Sequence, residues 1–193
     1  MRSAFSRISI LIACLSVITL AAGAQEIVHA LVGTVNHVDL PGKTVSVLTE
    51  DGSDGTFRDL TDSHASFEFD KVLRSETTAP VEFTKSGVRA IVFYYGVSLP
   101  RTVVALKSLG PGPFKNSTGV VVKYDKRQHL LTLEDQSGAT ETFTINQSTV
   151  AETDSGVAEG LKFDTHKGEH VRVAAAQVNG SNVALFINGA LGL

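Results

Sequence analysis

Tryptophan is absent from this sequence of 193 residues, and cysteine and methionine occur once each, as Cys14 and Met1. A lone cysteine excludes an internal disulfide and a thiolate metal cluster, so packing must hold the fold together. Basic residues are also short, 17 against 20 acidic ones. That balance excludes a binder of nucleic-acid backbone, whose affinity rests on a basic face. The longest apolar run, Ile8 to Leu20, falls below the roughly 20 residues of a membrane-spanning helix. What remains is 42% hydrophobic and 19% charged, the composition of a folded chain.

The N-terminus reads as an export signal. Arg2 and Arg7 precede the apolar run, and Ala22 and Ala24 form a small-x-small site, which places cleavage between Ala24 and Gln25. Two other layouts compete. An uncleaved anchor would use the same run, and a lipoprotein would use Leu11-Ile12-Ala13-Cys14, although the residues after Cys14 are apolar where a tether should be polar. Removing 1–24 takes both the cysteine and the methionine and leaves fifteen basic against twenty acidic residues, a net of −5. The mature chain is then expected in the periplasm or secreted, with no membrane span.

The rest of the chain carries an internal likeness. Residues 33–52 align without a gap on residues 119–138, at an offset of 86. Gly33 meets Gly119, Val35 meets Val121, Asp39 meets Asp125, Val45 and Val47 meet Leu131 and Leu133, and Phe57 meets Phe143. Apolar residues two apart face one side of a strand. The aspartate can bond a turn's backbone, and the glycine of each later turn (Gly52, Gly138) permits a positive φ. Farther on, Val88-Arg89 matches Val171-Arg172, and Val104-Ala105-Leu106 matches Val183-Ala184-Leu185.

Each half is expected to hold five strands: near 27–38, 43–49, 55–60, 88–95 and 101–108, then 117–125, 129–135, 140–146, 169–177 and 182–188. Between the third and fourth strands of the second half, Val157 and Leu161 stand four apart, which suits a short helical turn. In the first half SFEFDKVLRS mixes strand and helix signals before Pro80. A helix between strands three and four of a five-stranded unit is the order of an OB-like barrel. The expected fold is therefore all-β with a minor helix: two tandem five-stranded OB-like barrels after a signal peptide. The divisions are 1–24 signal peptide, 25–110 first unit, 111–116 Gly/Pro linker and 117–193 second unit.

The motifs Gly33-Thr34-Val35, Gly119-Val120-Val121 and Gly168 ahead of Val171-Arg172-Val173 give the chain a resemblance to a known group. It resembles bacterial exported proteins of unknown function built from repeated small β-barrel units. The resemblance implies export and a barrel; it carries no catalytic residues.

Candidate chemistry is thin. His166 and His170 flank a turn with Glu169 and Asp164 nearby, so a periplasmic metal site at His166, Glu169 and His170 is one reading. Gly168 between the histidines argues instead for a solvated turn, and no cofactor is expected. The acidic loop Glu50-Asp51-Gly52-Ser53-Asp54-Gly55 lacks the spacing of an EF-hand, and a hairpin turn accounts for it. No GxSxG elbow is present; Ser63-His64 and Lys85-Ser86-Gly87 are fragments without their partners, and a hydrolase with an unrecognised carboxylate pair is the remaining enzymatic reading. The one aromatic cluster, Phe93-Tyr94-Tyr95, has no counterpart in the second half, where Ala176-Gln177-Val178 stands. Alternation puts Phe93 and Tyr95 on one face and Tyr94 on the other, which reads as core filling with one exposed tyrosine. If the chain has a ligand surface, this strand and the adjoining hairpin GVSLPR are its first candidates. The sequence thus points to a non-enzymatic binding or interaction module of the cell envelope. Its partner would be an envelope protein, a glycan or a small ligand.

Overall fold

Alternating valines and short polar turns set the strands. In the first half these are β1 (His29–Asp39), β2 (Thr44–Thr49), β3 (Asp54–Asp59), β4 (Val88–Tyr95) and β5 (Arg101–Ser108). Between β3 and β4 lie helix α1 (Lys71–Ser75) and a 3-10 turn, Pro80–Phe83. The computed structural model describes residues 27–50, 54–59, 71–83, 87–96 and 101–189. The leader 1–24 with Cys14, the Ser63-His64 pair, Lys85-Ser86, loop residues 51–53 and hairpin residues 97–100 lie outside the described residues.

The first five strands close into a barrel in the order β1-β2-β3-β5-β4, which is OB-like. Closure depends on a parallel pairing of β3 with β5, Phe57 opposite Arg101 through Asp59 opposite Val103. Val35, Val47, Phe57 and Val92 fill the interior, and Phe83 of the 3-10 turn is buried among them.

The second half does not repeat this. Its strands are β6 (Phe114–Asp125), β7 (Leu130–Glu134), β8 (Thr140–Thr144), β9 (Val150–Thr153), β10 (Gly156–Glu159), β11 (His170–Val178) and β12 (Ser181–Asn188). They form a seven-stranded sheet in the order β10-β9-β12-β11-β6-β7-β8, with one further β8–β12 pairing at Thr144 and Val183. The expectation of two tandem five-stranded barrels is therefore corrected: the structure has one closed barrel and one seven-stranded sheet, and no tandem repeat of barrels. The physical cause lies at the edge of β12, which β8 and the β9–β10 hairpin share. β8 meets β12 only at Val183, and beyond it β9 runs along β12, with Val150 opposite Phe186 and Glu152 opposite Asn188, so the sheet widens to seven strands. The short helical turn expected around Val157 and Leu161 is present as the 3-10 turn Gly160–Lys162, which holds Leu161, but Val157 precedes it in β10 and Leu161 is 40% exposed.

Local likeness survives within the two hairpins. Val35 pairs with Val47 and Val121 with Leu133, and a bulge follows each of those valines. Gly33 and Gly119 stand where β1 and β6 press on their neighbours. A Cβ on Gly33 would overlap the Val47 side chain and the Leu48 carbonyl; on Gly119 it would overlap the Glu134 carbonyl. Asp39 accepts the Gly42 N–H at 2.9 Å, Asp125 accepts those of Arg127 and Gln128 at 3.1 Å, and Gly138 has φ +83°.

The barrel packs its outer wall against the sheet. Val28, Ala30 and Val32 of the β1 segment, with Ile91 and Phe93 of β4, meet Val150, Ala174 and Phe186. Because Ala90 and Val92 face the barrel interior while Ile91 and Phe93 face the sheet, β4 is buried on both sides, and its sequence reads as a continuous apolar run. The sheet's opposite face carries its own core around Leu131, Phe143 and Val173.

Candidate functional site

The aromatic cluster divides among three environments. Phe93 is fully buried between barrel and sheet, and Tyr95 is half-buried at the end of β4. Tyr94 follows Ala90 and Val92 to the inner side and stands at the barrel mouth, where its ring lies 5.5 Å from that of Phe57 and 5.9 Å from that of His29. Arg101, the first residue of β5, holds its guanidinium 4.8 Å from the Tyr94 ring centre, a cation–π contact. Burial pushes the Tyr94 hydroxyl up; Arg101 opposes the shift and Glu152 adds to it.

Glu152 comes from β9, across the junction. It is 7% exposed, accepts the Ala30 N–H at 2.6 Å, and hydrogen-bonds the His29 ring at Nδ1 over 2.7 Å. Burial raises its carboxyl above the ordinary glutamate range, against the lowering effect of His29 and Ala30. A carboxylate orienting a histidine is part of a hydrolytic triad. Here no hydroxyl nucleophile bonds His29 among the described residues, and the pair works as a clasp between the two layers.

Beside this clasp lies a pocket of about 230 Å³. Leu31, Val32 and Phe186 supply its apolar lining, and Thr49, Glu50 and Asn188 its neutral and acidic polar groups. Arg101 enters from the barrel and Arg172 from β11. Arg172 lies on the barrel-facing side of its strand because Val171 and Val173 occupy the opposite side in the sheet core. Glu50 forms an ion pair with Arg89, which also donates to Asn116 at 2.6 Å and lies 5.2 Å from the Phe114 ring. Arg101 and Arg172 have no carboxylate partner among the described residues, and Arg101 Nε is buried without a hydrogen bond.

The histidine turn is organised around Glu169. Its carboxylate accepts from Thr165 Oγ1 at 2.7 Å and the His166 N–H at 3.0 Å, and lies 3.2 Å from His166 Nδ1; these bonds, Thr165 foremost, hold it below the ordinary range. Asp164 pairs with Lys126 at 2.6 Å, and His170 is exposed at the start of β11. Among the described residues no three His, Cys, Asp or Glu side chains are grouped to hold a metal ion.

Sequence reasoning reached Tyr94 and, as the last residue of the hairpin GVSLPR, Arg101, but missed Arg172, His29 and Glu152. Of those three, Arg172 alone left a signal, as the one charge in Val171-Arg172-Val173. Among the described residues no helix is long and apolar enough to cross a membrane. No family model matches the sequence, and no curated protein matches it.

Proposed function

We propose that this protein is an exported, non-enzymatic binding module of the cell envelope, whose small ligand sits in the pocket between the barrel mouth and the sheet. The observation that carries this reading is the pocket itself. Two arginines from different layers converge on a concave, mainly polar site that Leu31, Val32 and Phe186 wall on one side, at the kind of layer junction where ligand sites occur. The leader-like residues 1–24 support export. The His29–Glu152 clasp supports a fixed relation between the layers, so the pocket is preformed.

The test is a thermal melt against a panel of envelope oligosaccharides, small organic acids, sugars, sugar phosphates and divalent metals. A ligand at about a hundred times its Kd stabilises by about 2.7 kcal/mol, which raises Tm by about 5–10 °C for a chain of this size. That shift should disappear in Thr49→Phe, which fills the pocket with a ring. A shift that survives Thr49→Phe would place the ligand elsewhere, and chemical turnover of the ligand would overturn the non-enzymatic reading.

A further inference from the structure

Three guanidinium groups approach this junction, from Arg89, Arg101 and Arg172, and Glu50 answers Arg89 alone. The second carboxylate in the neighbourhood, Glu152, is engaged by His29 and the Ala30 N–H. The pocket therefore carries a positive excess on a protein whose sequence is net negative, −3 overall. Arg101 adds a sharper observation. Its ring-facing side is occupied by Tyr94, yet its Nε–H is buried and makes no hydrogen bond. A buried donor without a partner carries a desolvation cost, and such groups recur where a ligand or ion completes the set. Arginine's planar fork matches oxygens spaced as in carboxylate or phosphoryl groups.

Resting on the binding reading above, we infer that the pocket takes a small oxyanion, held between the Arg101 and Arg172 guanidiniums. The anion's oxygens accept from the guanidinium N–H groups that Arg101 and Arg172 present to the pocket, while Leu31, Val32 and Phe186 exclude water from one side and strengthen those bonds. At about 230 Å³ the pocket falls below the roughly 300–1,000 Å³ of drug-sized ligand sites, which suits a small anion such as a dicarboxylic acid or a sugar phosphate. The stacked Tyr94 ring fixes the Arg101 fork in place, so less side-chain freedom is lost when the anion arrives.

Calorimetric titration of the full chain with inorganic phosphate, succinate, glucose 6-phosphate and glucose separates the possibilities. The expected result is binding of at least one anion and none of glucose, with affinity reduced about tenfold or more in Arg172→Gln and restored in part by Arg172→Lys. Arg101→Gln should weaken the same anion, and Arg172, away from the Tyr94 stack, keeps the test informative if Arg101→Gln loses stability. Preference for succinate over phosphate identifies a carboxylate as the head group, and the reverse identifies a phosphoryl group. Glucose binding that is abolished by Thr49→Phe but indifferent to both arginine variants would overturn the oxyanion assignment and leave the binding module standing. Anion binding unchanged in both arginine variants would also overturn it, as would no anion binding by the wild-type chain.

Discussion

Glu152 offers the sharpest test of how the two layers are joined. Changing it to alanine removes the acceptor for the Ala30 N–H and the partner of His29 Nδ1. Ala30 is 3% exposed, so water cannot replace the lost acceptor. An orphaned buried donor costs about 1–3 kcal/mol, and the bond to the partly exposed His29 adds less. Glu152→Ala is expected to cost about 2 kcal/mol and lower Tm by about 4–8 °C. Glu152→Gln keeps an oxygen for Ala30 and removes the buried charge, so it should retain most of the stability. The pH dependence has a definite sign. Burial raises the folded carboxyl above its unfolded value, so the folded chain binds this proton more tightly. The resulting stability is fully present below the unfolded pKa and is lost as pH rises through the folded one. Circular-dichroism melts from about pH 4 to 6, below the main histidine titration, should show the Tm of wild type relative to Glu152→Gln falling as pH rises. Equal melting of the Ala and Gln variants would refute the orphaned-donor argument. A wild-type-minus-Gln difference that stays flat or rises with pH would refute the electrostatic one.

Two further tests address other parts of the frame. Gly119→Ala forces a Cβ onto the backbone carbonyl of Glu134, which cannot rotate aside, and should cost about 1–3 kcal/mol; an unchanged denaturant midpoint would show that β6 and β7 are not pressed together. Lys107 bonds both Glu76 and the Ser148 carbonyl, and Ser148 Oγ donates to Glu76 at 2.7 Å, a second link between the halves. Burial alone would raise Glu76, but the bonds from Lys107 and Ser148 outweigh it and hold the carboxyl low. That stability is present above the unfolded glutamate's pKa and is lost as pH falls through the folded value. Lys107→Met should therefore lose under about 1 kcal/mol at neutral pH, and less or nothing at about pH 3. An equal loss at both pH values would remove Glu76 from the account.

Most strand positions were legible because local rules decide them. Val45 and Val47, or Leu131 and Leu133, alternate with polar residues, and the aspartates and glycines around them specify turns through their own backbone contacts. Closure was not legible, because it depends on which strand reaches an edge first. The spacing of four between Val157 and Leu161 pointed to the 3-10 turn at Gly160–Lys162 but hid the hairpin before it, where Val150 and Ala151 are buried along β12 and the chain turns back through Thr153, whose Oγ1 donates to the Gly156 carbonyl. The layer contact was hidden for a related reason. A strand whose two faces are both covered shows no alternation of polarity, so the sequence could place Phe93 and Tyr94 on opposite faces but not show that one fills the junction and the other the barrel mouth.

Beyond Tyr94 and Arg101 the site residues were hidden because they are assembled across that same junction, with Arg172 on the other layer and Glu152 on a hairpin with no counterpart among the described residues of the first half. This last placement links the fold to the function proposed for it. The β9–β10 hairpin takes the β12 edge from Phe186 to Asn188, beyond the single β8 pairing at Val183, and the residues it brings are the ones that dock the barrel: Val150 in the shared core, Glu152 on His29 and Ala30, and the Val157 N–H on the Val28 carbonyl at 2.8 Å. The hairpin that widens the second sheet is thus also an element that holds the barrel against it, and the pocket lies beside that contact. Variants that unseat the hairpin should weaken ligand binding and interlayer stability together, while leaving the β1–β5 barrel's own closure to the β3–β5 pairing, which the hairpin does not touch.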